Sequence, residues 1–171
     1  MILDMQVQED LETPTDDTEV INRRDKTMIW KLKAQAARTS YRLFMRYARG
    51  AEYASNSEED KAWCQLFIDN YSEMLCESHL QLVFKKKTHF VGSKTLNFSL
   101  KLVSCATKVS KTMTKMLPFV ETILYDSVIL LMLATKKDQE LFTDDPVEYI
   151  RKQIDVFSTI YQPKQTSSEL L

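Results

Sequence analysis

Glycine and proline are scarce in this sequence. Only two glycines and four prolines occur in 171 residues, well below the average usage of about 7% and 5%. Strands joined by tight turns depend on such residues, so the composition disfavours an all-β fold and favours an all-α one. With 44% hydrophobic and 27% charged residues, the chain also lacks the bias of a protein that is disordered throughout.

Long hydrophobic runs are missing as well. The strongest run covers residues 128–134, whereas a helix that spans a bilayer needs roughly 18 or more apolar residues. The first residues have neither the positive start nor the apolar centre of a signal peptide. We therefore expect no membrane insertion and no targeting segment.

Residues that carry catalysis or bind metals are sparse. The three cysteines are an odd number without a secretion signal, which indicates reduced thiols. Cys64 and Cys76 are expected on one helix about 18 Å apart, too far to share an ion whose ligand bonds are about 2.0–2.3 Å long. His79 and His89 are therefore interpreted as exposed helix-end residues. No phosphate loop, nucleophile elbow or His/carboxylate pair is found, so no enzyme, metal or cofactor is expected.

Positive charge is absent from the first 20 residues, which carry seven acids. The remaining 23 basic and 17 acidic residues give the rest of the chain a charge of +6. Residues 1–22 are predicted to form an acidic flexible segment, and residues 23–171 the folded one. Lys85-Lys86-Lys87 is interpreted as complementing a helix dipole rather than as a phosphate-binding patch. Direct binding of nucleic acid is not expected.

Apolar residues recur every three or four positions through most of the remaining sequence, which is typical of helices. This pattern, with no strand, predicts an all-α fold of stacked antiparallel helix pairs, an α-solenoid of two to three repeats. A closed helical bundle is the alternative. Helices are predicted over residues 25–49, from Ser57 to Lys87, from Gly92-Ser93, from Pro118, and from Asp145 to Pro163.

The predicted core takes one or two large residues from each of the first four predicted helices. The run Val128–Leu133 is predicted to be covered on several faces. Residues 138–144 are predicted to be an acidic connection. The predicted core residues are Trp30, Phe44, Trp63, Phe67, Leu100, Ile123 and Leu131.

Capping signals stand out near the end of the sequence. Asp145 precedes Pro146, and Glu148 follows, a pattern typical of a helix start. Thr166-Ser167-Ser168-Glu169 repeats a capping pattern with only Leu170 and Leu171 after it. A helix of one turn is not stable alone, so we expect residues 23–171 to be a segment of a larger solenoid, truncated at its carboxyl end.

The string Asp144-Asp145-Pro146-Val147-Glu148-Tyr149-Ile150-Arg151, followed by Asp155-Val156-Phe157, resembles the importin-beta superfamily, or karyopherins. Trp30–Lys33 and Arg42–Tyr47 are similar to a second stretch of the same family, most closely its importin seven/eight branch. The resemblance implies HEAT repeats. The resemblance also implies a structural or partner-binding role for the positions that match the family's string. These are Asp144, Asp145, Pro146, Tyr149, Ile150 and Arg151.

The resemblance also implies a function. It is that of a receptor for Ran-dependent protein import into the nucleus, with Ran GTPase, cargo proteins and nucleoporins as partners. Such a receptor would be located in the cytoplasm, the nucleus and the nuclear envelope or pore. The family's main Ran-binding region lies in its first repeats, and this sequence does not resemble that region. The alternative is a HEAT-repeat scaffold or regulatory subunit with no connection to Ran.

Overall fold

The computed structural model describes residues 2–7, 13–15, 17–48, 57–154, 163–168 and 170. Within these ranges the chain forms helices and no β-strand, so the predicted all-α fold class of HEAT-type helix pairs is confirmed. The α-helices are α1 Thr18–Asp25, α2 Met28–Tyr47, α3 Glu58–Asn70, α4 Ser72–Lys85, α5 Ser93–Ala106, α6 Ser110–Met116, α7 Val120–Ile123, α8 Ile129–Met132, α9 Lys136–Asp144, α10 Pro146–Ile154 and α11 Pro163–Ser168.

Helix α5 lies at the centre of the fold. It packs against α2 on one side and against α4 on another, and α4 and α5 are neighbours joined by the short connection 86–92, as in a helical hairpin. Leu96, Leu100 and Val103 are fully buried where these helices meet. The core position predicted at Leu100 is therefore confirmed.

The first turn of α5 is held by a residue that is distant in sequence. The backbone N–H of Ser93 donates to Oδ1 of Asp25 at 3.0 Å, across 68 positions. Asp25 ends α1, and its carboxylate thus serves as a cap for one of the unsatisfied N–H groups of α5. Burial raises the pKa of Asp25, although hydrogen bonds from Ser93 and the charge of Lys94 oppose that change.

Gly92 lets these elements approach closely. A Cβ atom at this position would lie 2.9 Å from Asp25 Oδ1 and 2.9 Å from Cε3 of Trp30. The Trp30 ring is buried and packs edge-on against Phe90, with ring centroids 5.4 Å apart, so it has little room to move. The backbone of Gly92 is ordinary, with φ of −55°, and the need for glycine is therefore steric.

We expect Gly92→Ala to lower the free energy of unfolding by about 1–3 kcal/mol, the usual cost of overpacking a buried site. Urea denaturation monitored by circular dichroism would measure it. Thr88→Ala, an exposed change in the same connection, is the matched control and should stay within about 0.5 kcal/mol. Equal midpoints for the two variants would contradict the steric argument.

The helix predicted from Ser57 to Lys87 is two helices. Ser57 caps α3 as predicted, since its Oγ accepts from the N–H of Asp60 at 3.1 Å, but α3 ends at Asn70 and α4 begins at Ser72. Tyr71 between them has φ of −123°, outside the helical region. A stripe drawn along one continuous helix therefore loses its register at this break.

The core prediction is wrong at Trp63, which is 64% exposed. Trp30, Phe44, Leu100 and Ile123 are buried in one cluster, and Phe67 and Leu131 pack against it partly buried, so those six positions are confirmed as parts of a shared core. On α3 the buried side consists of Cys64 with Phe67 and Ile68. These residues are spaced i, i+3 and i+4, which places Trp63 on the edge facing away.

The region from Ser110 to Leu133 also differs from the prediction. Its first helix, α6, begins at Ser110 rather than at Pro118, and Pro118 lies in a 3₁₀ turn, Leu117–Phe119. A π-helical segment, Leu124–Val128, then separates α7 from α8, and such a bulge rotates the side chains after it. Leu130 and Leu133 are consequently half exposed, so the prediction that this run is covered on several faces is wrong.

Two further predictions fail near the end of the chain. Residues 138–144, predicted as a connection, belong to α9, whose start is a capping box between Thr135 and Asp138. Thr166 does not open a helix: α11 begins at Pro163, a favoured first position, and Thr166 and Ser167 are buried within it. The domain boundary predicted at residues 22/23 stays a prediction, and α1 spans it.

Candidate partner-binding surface

The six motif positions come together where α9 meets α10. Asp144 ends α9, Asp145 joins the two helices, and Pro146 begins α10. Oδ1 of Asp145 accepts a hydrogen bond from the N–H of Glu148 at 2.9 Å, while the Asp145 N–H donates to Leu141 O at 2.8 Å. The predicted capping role of Asp145 is therefore confirmed, and this residue links the end of one helix to the start of the next.

Two further motif residues stabilise the same corner. The rings of Tyr149 and Phe142 meet edge to face, with centroids 5.4 Å apart and planes at 79°, which joins α10 to α9. Arg151 Nη2 lies 2.7 Å from Oε2 of Glu148, one turn earlier. Glu148 is thus engaged with basic side chains, Lys152 being 3.8 Å away. Exposed helix pairs of this kind contribute only about 0.3–0.5 kcal/mol.

Ile150 is the motif position that presents apolar surface to solvent. It is 52% exposed, and Val147 and Ile154 on the same helix are more exposed still. Because these residues are spaced i, i+3 and i+7, they form one stripe along α10. The stripe is an available surface for a partner or for another helical repeat. The motif residues Asp155-Val156-Phe157 lie outside the described residues.

A polar contact connects this corner to the main core. Lys164 of α11 donates to Oδ2 of Asp138 in α9 at 3.2 Å, and α11 packs on α5 and α8. Partial burial acts to raise the pKa of Asp138, but hydrogen bonds from Thr135 and the charge and hydrogen bond of Lys164 hold the pKa below its usual value. In α11, Thr166 Oγ1 donates to Asn97 Oδ1 of α5 at 2.6 Å.

Sequence reasoning missed these buried polar contacts. His79, interpreted as exposed, has no exposed surface and lies against Ser99, and Lys33 is 2% exposed in the middle of the α2 stripe. Cys64 and Cys76 lie on α3 and α4 rather than on one helix. The sequence does carry one signal for such contacts, which is a polar side chain within a hydrophobic stripe, because a buried polar group needs a hydrogen-bond partner.

Nothing in the described ranges has the form of a metal centre. Among those residues, no three His, Cys, Asp or Glu side chains come close enough to hold an ion. The cysteines Cys64, Cys76 and Cys105 are buried free thiols, and burial raises the pKa of Cys76 to about 12. No helix within the described part of the chain is long and apolar enough to cross a bilayer.

Curated proteins with importin names are similar to most of this chain. The Importin beta-like SAD2 homolog of Arabidopsis thaliana is 28% identical over 143 residues, which is 83% of this chain. Importin-8 of Danio rerio is 26% identical over 165 residues, 96% of the chain. The resemblance to the importin-beta superfamily is confirmed. The Importin-8 match agrees with the branch indicated by the motif at Asp144–Arg151.

A third relative has a different kind of name. Nonsense-mediated mRNA decay protein 5 of Saccharomyces cerevisiae is 30% identical over 158 residues, 88% of the chain. The chain spans only 14–15% of the length of these three relatives. No family model and no solved structure matches the chain.

The motif corner leads to a prediction about stability. Asp145→Ala should lower the free energy of unfolding by about 1 kcal/mol through loss of the cap, and it should speed hydrogen exchange of the first amides of α10. Asp144→Ala, one residue earlier and exposed, is the control and should change stability by less than about 0.5 kcal/mol. Protection of α10 that is equal in both variants would show that the cap is unimportant.

Proposed function

We propose that this chain is a segment of a nuclear transport receptor that imports proteins into the nucleus under the control of Ran. Its role is binding, without catalysis: helical surface for cargo proteins, Ran GTPase and nucleoporins. The observation that carries the proposal is the similarity to importin-named proteins along 83–96% of the chain. The receptor would be found in the cytoplasm, the nucleus and the nuclear envelope or pore.

The fold supports a role in binding. Stacked helix pairs form long surfaces, and each pair contacts mainly its neighbours, so exposed stripes are available along the array. The α10 stripe around Ile150 is one such surface. A second exposed set lies on α3 and α4, where Trp63, Leu66 and Met74 are all about half exposed or more. Aromatic and methionine side chains are enriched where proteins bind one another.

The acids beside this second set are partly paired across helices. Lys111 of α6 lies 3.8 Å from Oδ1 of Asp69, and Lys115 lies 3.6 Å from Oε2 of Glu73. These are surface ion pairs, which a partner can exchange at small cost because each is worth little by itself. Charged groups around an apolar patch favour specific and salt-sensitive association.

The test is a pull-down of the full-length gene product against Ran in its two nucleotide states. We expect clear binding to the GTP form, weaker binding to the GDP form, and release of bound cargo when the GTP form is added. The isolated 171-residue chain should bind Ran far more weakly, because recognition in a solenoid is spread over many repeats.

The alternative is a HEAT-repeat scaffold or regulatory subunit unconnected to Ran. One observation favours it: the name of the yeast relative refers to mRNA decay and not to transport. Equal binding of the GDP and GTP forms, or no binding to either, would support the scaffold and reject the transport proposal.

A further inference from the structure

Residues before α1 lie across the helices as a strap, defined here as residues 2–7 and 13–15. Leu3 is its anchor, since it is only 3% exposed and belongs to a small buried cluster with residues of three helices. The other strap side chains that the structure describes are exposed or half-buried. The strap is therefore attached through one apolar side chain. The cluster partners of Leu3 are Ala37 of α2, Leu82 of α4 and Phe98 of α5.

Two basic side chains hold the strap by its main chain. Lys33 of α2 is buried, and its Nζ donates to the carbonyl oxygen of Leu3 at 2.9 Å. Arg24 of α1 donates through Nη1 to the carbonyl oxygen of Thr13. Every residue type carries such a carbonyl. These two contacts therefore do not depend on which side chains the bound segment carries.

The strap fills its groove incompletely. A cavity of about 700 Å³ remains between the strap and helices α2 and α4, and Leu3, Met5 and Val7 form part of its strap side. Protein interiors are close-packed, with few voids larger than a water molecule. A segment that belongs to the core would not leave a space of this size. The groove can therefore hold an occupant that is bulkier than the strap.

These features together are those of a peptide-binding groove. In peptide recognition, hydrogen bonds to the main chain supply affinity, and pockets for individual side chains supply specificity. The groove has donors for the main chain in Lys33 and Arg24, and a pocket for one aliphatic side chain in the cluster around Leu3. The strap shows that a segment with one such anchor fits.

We propose that this groove binds peptide segments of partner proteins that carry one leucine-sized aliphatic anchor, and that the strap occupies it until such a segment replaces it. The strap is thus an autoinhibitory contact within the chain. The inference is independent of the proposed transport function, because it rests on the contacts of the strap alone.

The experiment measures binding of a fluorescent peptide, with the sequence of residues 1–15, to the full chain by anisotropy. The wild type should bind it weakly, because a tethered segment competes at an effective concentration of about millimolar. Leu3→Ala in the chain weakens the strap and should tighten peptide binding about tenfold, as expected when a buried leucine side chain is truncated. Ile2→Ala is the matched control, since Ile2 is the adjacent apolar residue but is 41% exposed, and it should bind like the wild type.

The same substitutions in the peptide test the anchor from the other side. A peptide with Leu3→Ala should lose about tenfold in affinity, and one with Ile2→Ala should keep its affinity. A peptide that keeps Leu3 in place and has its other residues shuffled should bind within about threefold of the original, because main-chain contacts tolerate any sequence. Circular dichroism must show that the Leu3→Ala chain is folded. The peptides compared on the wild type at higher concentration give the same test without any change in the protein.

Three results would overturn the proposal. The first is equal affinity of the wild-type and Leu3→Ala chains for the original peptide, and the second is no binding to either chain. Both would show that the strap is a fixed part of the fold. The third is equal affinity of the original and Leu3→Ala peptides, which would show that the peptide binds elsewhere.

Discussion

Substitution of Phe44 by alanine should lower the free energy of unfolding by about 3–5 kcal/mol. Phe44 has no exposed surface and belongs to the central cluster of buried residues. Its ring packs edge to face against Phe67 of α3, with centroids 6.4 Å apart and planes at 80°. Truncation would remove these contacts and leave a cavity between α2 and α3 that the surrounding helices can fill only in part.

Trp63→Ala is the matched control for Phe44. Trp63 is also a large aromatic residue, on the helix that packs against α2, but 64% of it is exposed. Its truncation should cost about 1 kcal/mol or less, as for most surface changes. Urea denaturation of both variants, compared at constant m-value, measures the difference. A loss at Trp63 that equals the loss at Phe44 would reject the packing described for α3.

Phe44 and Trp63 also show where the hydrophobic periodicity of the sequence predicts burial correctly and where it does not. The α2 stripe was predicted correctly at Trp30 and Phe44 because α2 is one uninterrupted helix of 20 residues. The stripe through Trp63 failed because α3 ends at Asn70. No proline or glycine marks this break, since Tyr71 and Ser72 occupy it. A break set by tertiary packing leaves no local signal, so the stripe drawn across it was correct at Phe67 and wrong at Trp63.

The candidate surface was predictable for a different reason. Capping depends on residue type and spacing over a few positions, so the role of Asp145 could be derived from the sequence alone. What could not be derived is which motif residues remain available to a partner. The structure shows Tyr149 packed on Phe142 and Arg151 beside Glu148, whereas Ile150 is exposed. The packing of Tyr149 on Phe142 depends on the angle between α9 and α10, which no short motif encodes, whereas the Arg151–Glu148 pair lies within α10.

The second large effect is expected at His79, whose burial should make the stability of the fold depend on pH. The reason lies in its hydrogen bonds. Its Nδ1 lies 2.9 Å from Ser99 Oγ, and that hydroxyl donates its proton to the carbonyl oxygen of Thr95. Ser99 Oγ must therefore accept from Nδ1–H, which leaves Nε2 as the unprotonated nitrogen. Nε2 is buried and has no hydrogen-bond partner among the described residues. Protonation would place a charged N–H where no acceptor is available.

Burial accordingly lowers the pKa of His79 from 6.5 to about 4. In the unfolded chain the same residue titrates near 6.5. Between these two values the unfolded state binds more protons than the folded state, so stability falls as the pH is lowered. The contribution of His79 is fully present above about pH 6.5 and is lost by about pH 4, a loss of about 3 kcal/mol.

Urea denaturation at a series of pH values from about 7 to about 4 measures this loss, and His79→Gln provides the comparison. The variant keeps a polar side chain that can reach Ser99 but does not titrate in this range. Asp25 and Asp138 have perturbed pKa values in both proteins, and their effects cancel when the two stability curves are subtracted. The difference should therefore follow one proton, with wild-type stability falling relative to the variant as the pH drops below about 6.5. Parallel curves would show that His79 reaches solvent in the folded protein, and the burial described for α4 against α5 would then be wrong.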